Sequence, residues 1–308
     1  MKRIRIPGIV DIVSSDDAAE IEALAQDPKL DRAYADHSIP VNGKILQRVQ
    51  DTLQIAGKPF PTVAPRCAEG RAPAQEALWK RLNAMAPAYS AGPNELESLA
   101  AFVRGEGSAD ACGPLVQQVV GSLFAPNFEA TEDSWNAALV LDQAPRTMNL
   151  ALLAWWALTK KVDRAKQLLS DMVDGDLAAV HAIGVALHNI VSGLNLMREL
   201  YSDPSSRTTL SPEAAGTRCL FAPATVLRQP TDTDNSTSGD LETGTLVLLS
   251  LQAANAKTPN ANLAFLRNTW SQCPAEQWVP ALLEGIWLRA CNPQGHGKSG
   301  VSPASHGD

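Results

Sequence analysis

The stretch from Asp176 to Leu200, DLAAVHAIGVALHNIVSGLNLMREL, is apolar at helical spacing on nearly every face. A helix that is hydrophobic all round must be enclosed by protein, so the segment predicts a helix through the middle of the molecule, where a site could be lined. Helical recurrence of apolar residues continues upstream in Ala74–Met85, Asn94–Val103, Gly113–Phe124, Thr131–Leu141, Arg146–Thr159 and Val162–Val173. Trp155 and Trp156 read as core packing. Asp16–Ala25, acidic in its first turn, predicts a short helix. The prolines at 28, 40, 59, 61, 65 and 73 predict a loop-rich region from about Asp27 to Pro73.

Beyond the central helix the texture changes. Ser202–Thr209 and Thr231–Gly239 are rich in turn residues, Thr245–Leu251 suits a buried strand, and Glu276–Arg289 predicts an amphipathic helix with Trp278, Leu282, Ile286 and Arg289 along one line. The expectation is a mainly helical class with a small β portion. One domain covers residues 1–291, and a flexible polar tail runs over 292–308.

Charge narrows the partners. Lys plus Arg number 26 against 33 Asp plus Glu, a net −7 spread along the chain, so no basic stripe is available for a phosphate backbone and nucleic acid is excluded as a partner. The apolar runs Met148–Leu158 and Thr245–Ala254 fall short of the roughly 18–20 residues of a membrane span. The basic start MKRIRIPGIVDIV is broken by Pro7 and Asp11 and leads to no small-residue cleavage site, so it reads as an edge strand and not a signal peptide. A cytoplasmic location is expected.

Cys67, Cys112, Cys219, Cys273 and Cys291 are odd in number, widely spaced and without a C-x-x-C pair, which fits neither a disulfide framework nor a zinc site. His181 and His188, seven apart, would lie about 10 Å apart along a helix, too far to share a metal ion. Gly295–Gly300 (GHGKSG) has Asn292 where a phosphate loop needs glycine and no strand leading in. Asn235-Ser236-Thr237 is a glycosylation sequon by spelling only.

Two segments carry a family resemblance. Phe221–Asn255, FAPATVLRQPTDTDNSTSGDLETGTLVLLSLQAAN, places a proline turn, an arginine and a G-T-x-V-x-x-S-x-x-x-A-N run in order. Asn262–Trp287, NLAFLRNTWSQCPAEQWVPALLEGIW, sets Cys273-Pro274 before a helix. Together they resemble the C-terminal part of the heme-thiolate monooxygenases, the cytochromes P-450. The resemblance implies a shortened P-450-like helical body holding heme b, with Cys273 as the iron ligand, Phe265 in the cysteine loop and Arg228 at a propionate. A cysteine just ahead of a helix gains from the helix dipole and from unpaired N–H groups, which favour thiolate. Proline costs nothing in the first turn. Thiolate ligation favours O–O cleavage, and a guanidinium fork suits a carboxylate.

The departures from that family are equally informative. Its loop is F-x-x-G-x-x-x-C-x-G, whereas here Phe265 to Cys273 is one residue longer, Asn268 stands in place of glycine and Ala275 replaces the last glycine. Its E-x-x-R pair would fall on Ala215 and Arg218, and Glu213 shares no helix face with Arg218. The meander that accompanies that pair is missing. In the central helix Ala179–Gly184 (AVHAIG) aligns with A-G-x-E-T-T, so Ala182 and Ile183 occupy the acid and alcohol positions. The substitutes are His181, His188, Asn189 and Ser192, with His188 and Ser192 one turn apart; a histidine over heme can serve as acid-base or as sixth ligand. Glu76–Tyr89 resembles the family's C helix and offers Trp79 and Arg81 to the propionates.

What the resemblance implies is an atypical monooxygenase or peroxygenase for a small apolar or lipid-like substrate. It would be served by an electron-transfer partner such as a ferredoxin or reductase, or by peroxide. The alternative is a heme-free relative working as a ligand- or partner-binding scaffold.

Overall fold

The computed structural model describes residues 1–34, 36–66, 68–85, 93–231, 241–257 and 259–292. The tail beyond Asn292, the glycine-lysine run Gly295–Gly300, the sequon, Cys67, Tyr89 and most of Thr231–Gly239 lie outside the described residues.

The N-terminus forms a hairpin where a single edge strand was expected. β1 (Lys2–Ile6) and β2 (Val10–Ser15) pair antiparallel around Gly8, which takes φ +70, a conformation glycine adopts without strain. β1 is exposed along its length; β2 is largely buried and pairs in parallel with a later strand. Buried Asp11 accepts from Arg3 Nε at 2.9 Å and Nη2 at 2.7 Å and from Thr245 Oγ1 at 3.1 Å. The Arg3 guanidinium is the main reason its carboxyl sits below the usual range. α1 (Ala18–Gln26) is capped by Asp17, and the two-residue β3 (Leu30–Asp31) follows.

Inside the loop-rich region lies an unforeseen helix, α2 (Pro40–Thr52), then the small hairpin β4 (Gln54–Ile55) and β5 (Lys58–Pro59). Pro40 occupies the first turn, where its missing N–H has no partner to lose. It starts a helix that buries Leu46 and Val49.

The body is helical, as the periodicity predicts: α3 (Arg71–Met85), α4 (Pro93–Val103), α5 (Cys112–Phe124), α6 (Glu132–Gln143), α7 (Leu150–Thr159) and α8 (Lys161–Asp171). α7 starts four residues later than expected, at its Asn149 cap, and only Trp156 of its tryptophan pair is buried. Trp155 is 61% exposed, which corrects the core reading for that residue.

The central helix is one rod in three pieces: α9 (Leu177–His181), a wide π turn over Ala182–Ala186, and α10 (Leu187–Ser202). Asp176 caps its start through the amides of Ala178 and Ala179. Beside the wide turn, fully buried Gln117 donates to the Ile183 carbonyl at 3.0 Å. α10 runs so close to Cys219 that a Cβ on Gly193 would stand 2.3 Å from the Cys219 carbonyl oxygen. This rod is long and apolar enough to cross a membrane, but 44% of its apolar window is buried inside the protein.

α11 (Pro204–Thr209) and α12 (Pro212–Arg218) lead to β6 (Val226–Pro230) and β7 (Leu246–Leu249). The five-stranded sheet has the order β1-β2-β7-β6-β3, with only β2 and β7 parallel. The strand expected through Leu251 stops at Leu249, and the A-A-N end of that run is helical, α13 (Leu251–Lys257). α14 (Ala261–Phe265) enters the cysteine loop, and α15 (Val279–Cys291) buries Leu282, Leu283, Ile286 and Trp287.

Candidate heme-thiolate site

The cysteine loop is reshaped in the way its sequence demands. Leu266 (φ +49) and Asn268 (φ +59) take left-handed conformations, and asparagine is the residue after glycine that tolerates this most readily. The loop closes where the Cys273 amide donates to the Phe265 carbonyl at 2.8 Å. Cys273 precedes a short 3-10 turn, Pro274–Gln277, and Trp278 separates that turn from α15. The dipole of the long helix therefore does not begin at the sulfur. Burial pushes the Cys273 thiol above its ordinary value, and the Ala275 amide and Arg32 offset only part of this, contrary to the sequence expectation of a stabilised thiolate.

Cys273 and His181 both keep accessible surface deep inside the protein because they face one internal cavity of about 220 Å³. The central helix forms one wall through His181, Ala182, Val185 and Asn189; Phe265, Leu266 and Cys273 form another. A second cavity of about 590 Å³ adjoins it, sharing Val185, Asn189, Pro223 and Val226. Its lining is mostly apolar, including Val49, Leu53, Leu141, Leu227 and Leu248, and its size suits a small ligand.

Three arginines converge beside the cysteine. The guanidinium carbons of Arg32, Arg71 and Arg228 lie 5.4, 4.8 and 4.9 Å from the centroid of the Trp270 ring. They are 8%, 7% and 0% exposed, and among the described residues none forms an ion pair with a carboxylate. Arg32 donates to the Thr62 carbonyl, Arg71 to the carbonyls of Ala64 (3.2 Å) and Trp270 (2.9 Å), and Arg228 to the Leu227 carbonyl (2.8 Å) and Ser271 Oγ (2.6 Å). Arg228 Nε and Trp270 Nε1 are buried without a partner.

Desolvation depresses all three guanidinium groups, and each of Arg71 and Arg228 feels its cationic neighbours as well. The adjacent acid, Asp31, accepts from the Arg32 and Arg66 amides at 2.6 and 2.7 Å. Arg71 is also the first residue of α3, where the helix dipole favours an anion over a cation. Buried charge costs several kcal/mol per ion, and cation–π contact returns about 2 kcal/mol at best. The cluster is thus short of negative charge, and an anion with two carboxylates would complete it. Heme b carries two propionates, so the residues present fit that group.

The remaining predicted residues fall in different places. His181 Nδ1 lies 3.0 Å from Thr62 Oγ1, its ring tilts against Phe60, and burial drops its pKa to about 4, so it is neutral at pH 7. His188 Nε2 bonds the Ala138 carbonyl at 3.1 Å and its ring packs on Trp135; it lines the larger cavity. Ser192 does not pair with the His188 ring: its hydroxyl donates to the His188 backbone carbonyl at 2.9 Å. Arg81 is paired with Asp176 and donates to the Phe124 carbonyl at 2.7 Å. Neither Arg81 nor half-buried Trp79 lines the two cavities.

α3 contributes Arg71, its first residue, to the arginine cluster, whereas Trp79 and Arg81 of the same helix lie away from it. Arg32, Arg71 and Trp270 were not singled out in the sequence, although Trp270 stands three residues before Cys273.

No family model matches the chain, and no curated protein matches it. Solved structures do. CYP175A1 from Thermus thermophilus aligns with a TM-score of 0.62 at 17% identity, over 94% of this chain and 83% of that one. A six-coordinated cytochrome P-450 from the same species aligns at 0.60 and 18%, over 94% and 85%. The cytochrome P-450 enzyme CxnD, for C–S bond formation in chuangxinmycin biosynthesis, aligns at 0.60 and 12%, over 90% and 79%. The chain has the cytochrome P-450 fold in shortened form.

Proposed function

We propose that the protein, a chain with the cytochrome P-450 fold, is an atypical heme-thiolate oxidoreductase in which Cys273 ligates the iron of heme b and Arg228, Arg32 and Arg71 receive its propionates. The observation that carries this reading is the cluster of three arginines on Trp270, none of them ion-paired among the described residues, beside Cys273, which lines the smaller cavity. Bound heme would supply oxygen-atom transfer from dioxygen or peroxide.

The chain's own residues prepare that chemistry. Burial keeps Cys273 protonated in the metal-free protein, so ligation displaces a proton. The arginines would neutralise the propionates, and the Trp270 ring holds the three guanidinium groups together by cation–π contact. Neutral His181 holds its proton on one ring nitrogen, with Nδ1 tied to Thr62 Oγ1. Asn189, where the cavities meet, presents an amide donor. Ala182 and Ile183 hold no exchangeable side-chain proton. That lack favours peroxide, which carries its own protons, over a reductase-coupled reaction, and the larger cavity would hold a small apolar or lipid-like substrate.

A heme-free scaffold is the second reading. It is favoured by the missing acid of the E-x-x-R pair and by the 220 Å³ cavity, smaller than the roughly 300–1,000 Å³ of ordinary ligand sites. Titration of the purified protein with hemin decides between them. The oxidoreductase reading expects a Soret band that takes the red-shifted position of a thiolate-ligated ferrous–CO heme and loses it in Cys273→Ala. A spectrum indifferent to that substitution refutes it. Product formation with peroxide alone then separates peroxygenase from reductase-coupled chemistry.

A further inference from the structure

Helix α7, LALLAWWALT, carries no charge in ten residues, yet stands largely in water. Leu150 is 77% exposed, Trp155 61% and Leu158 78%, and Met148 just before the helix is 83% exposed. At about 100° per residue, residues 150, 151, 154, 155, 157 and 158, all exposed, cover nearly half of the circumference. Buried Trp156 is on the opposite side. Exposed apolar surface this continuous marks a contact with something apolar.

Its surroundings say what. Between Arg146 and Lys166 the sequence holds five cations (Arg146, Lys160, Lys161, Arg164, Lys166) and one anion, Asp163, in a chain of net −7. Lys160, at φ +50, turns the chain from α7 into α8, so Lys160, Lys161 and Arg164 emerge exposed at the end of the apolar helix. Asp163 is itself drawn to Lys166 at 3.2 Å. A convex apolar half-cylinder bearing a tryptophan and ending in lysines has the chemistry of a membrane-interface element, with the protein body in place of the usual polar face. The lining of the 590 Å³ cavity includes Pro145 and Arg146, a few residues ahead of this helix.

We infer that α7 is a peripheral anchor that lies in the surface of an anionic lipid bilayer and holds the mouth of the larger cavity against it. The apolar half seats in the acyl boundary, the cations meet lipid headgroups, and an apolar ligand passes between bilayer and cavity without crossing water. The anchor needs no heme, so it stands or falls separately from the oxidoreductase reading.

The test is co-sedimentation of the full chain with vesicles of phosphatidylcholine alone and of phosphatidylcholine with phosphatidylserine. Binding is expected to the anionic vesicles, weakened by salt. It should fall about 100-fold in Lys160→Gln/Lys161→Gln/Arg164→Gln, at about fivefold per cation, and be lost in Trp155→Glu/Leu158→Glu. Leu288→Glu, at another exposed leucine (51%) on α15, should leave binding unchanged, and circular dichroism checks that each variant is folded. Absence of anionic-vesicle binding overturns the inference. So does a dimer in sedimentation that Trp155→Glu/Leu158→Glu dissociates without any vesicle binding, since α7 would then be a contact between two copies of this chain.

Discussion

Replacing Arg228 by methionine should stabilise the heme-free protein while weakening its hold on heme. Arg228 is fully buried and has an unpartnered Nε, with two other buried guanidinium groups on the same tryptophan. The substitution forfeits hydrogen bonds to Ser271 Oγ and the Leu227 carbonyl, about 1 kcal/mol each, and a cation–π contact of about 2 kcal/mol. It removes a buried charge without a counter-ion, whose desolvation costs several kcal/mol, and swaps of buried ionic groups for apolar ones stabilise by about 1–4 kcal/mol. A net gain of about 2 kcal/mol would raise Tm by roughly 3 °C in a chain of 308 residues. Loss of one charge-assisted propionate contact, about 1.5–3 kcal/mol, should weaken hemin affinity by roughly 10- to 100-fold. Urea unfolding of the heme-free protein and a Soret titration measure the two effects. A methionine variant less stable than the parent would mean that the cluster is a satisfied structural network, and the anion-site argument would fail.

Three further outcomes follow from the fold. Gly193→Ala would press a Cβ to 2.3 Å from the Cys219 carbonyl oxygen, an overpacked backbone contact costing about 1–3 kcal/mol, read as a lower urea midpoint with unchanged slope. His181, with a folded pKa of about 4 against 6.5 unfolded, binds its proton more weakly in the fold; stability is lost as pH falls from 6.5 to 4, by roughly 3 kcal/mol in all. His181→Asn should flatten that part of the pH–stability curve, and an unchanged slope would show that the ring is not the group responsible. Asp11→Asn should cost about 1–3 kcal/mol by leaving Arg3 without its carboxylate across the β1–β2 hairpin, and hydrogen exchange of β1 amides should quicken while that of α10 does not.

Legibility followed the range of the interactions. Helical periodicity is local, so the body helices and the central rod were readable, and Asn268, which the family resemblance set at a glycine position, takes a left-handed conformation. α2 was hidden because Pro40, which breaks a helix interior, is at home in its first turn. The arginine site was hidden for a different reason: Arg32, Arg71, Arg228 and Trp270 come from four distant stretches and only the fold brings them to one ring. Being one turn apart did not bring Ser192 to the His188 ring, because a serine can satisfy itself on the backbone carbonyl of its own helix.

The wide turn at Ala182–Ala186 changes the phase of everything after it. In a regular helix His181 and Asn189, eight residues apart, would differ by about 80° around the axis. A π turn takes up one extra residue, so the two behave as if seven apart and differ by about 20°, and both look into the cysteine cavity. The turn works as a built-in frameshift in three dimensions: it lets one rod keep a buried back along Ile183, Leu187 and Leu194 while presenting a polar pair, one residue from each half, to the same chamber. Straightening the turn with all of its residues kept would swing Asn189 by about 100° and split that pair between two faces, whereas deleting the one extra residue would give a regular helix with the pair still about 20° apart.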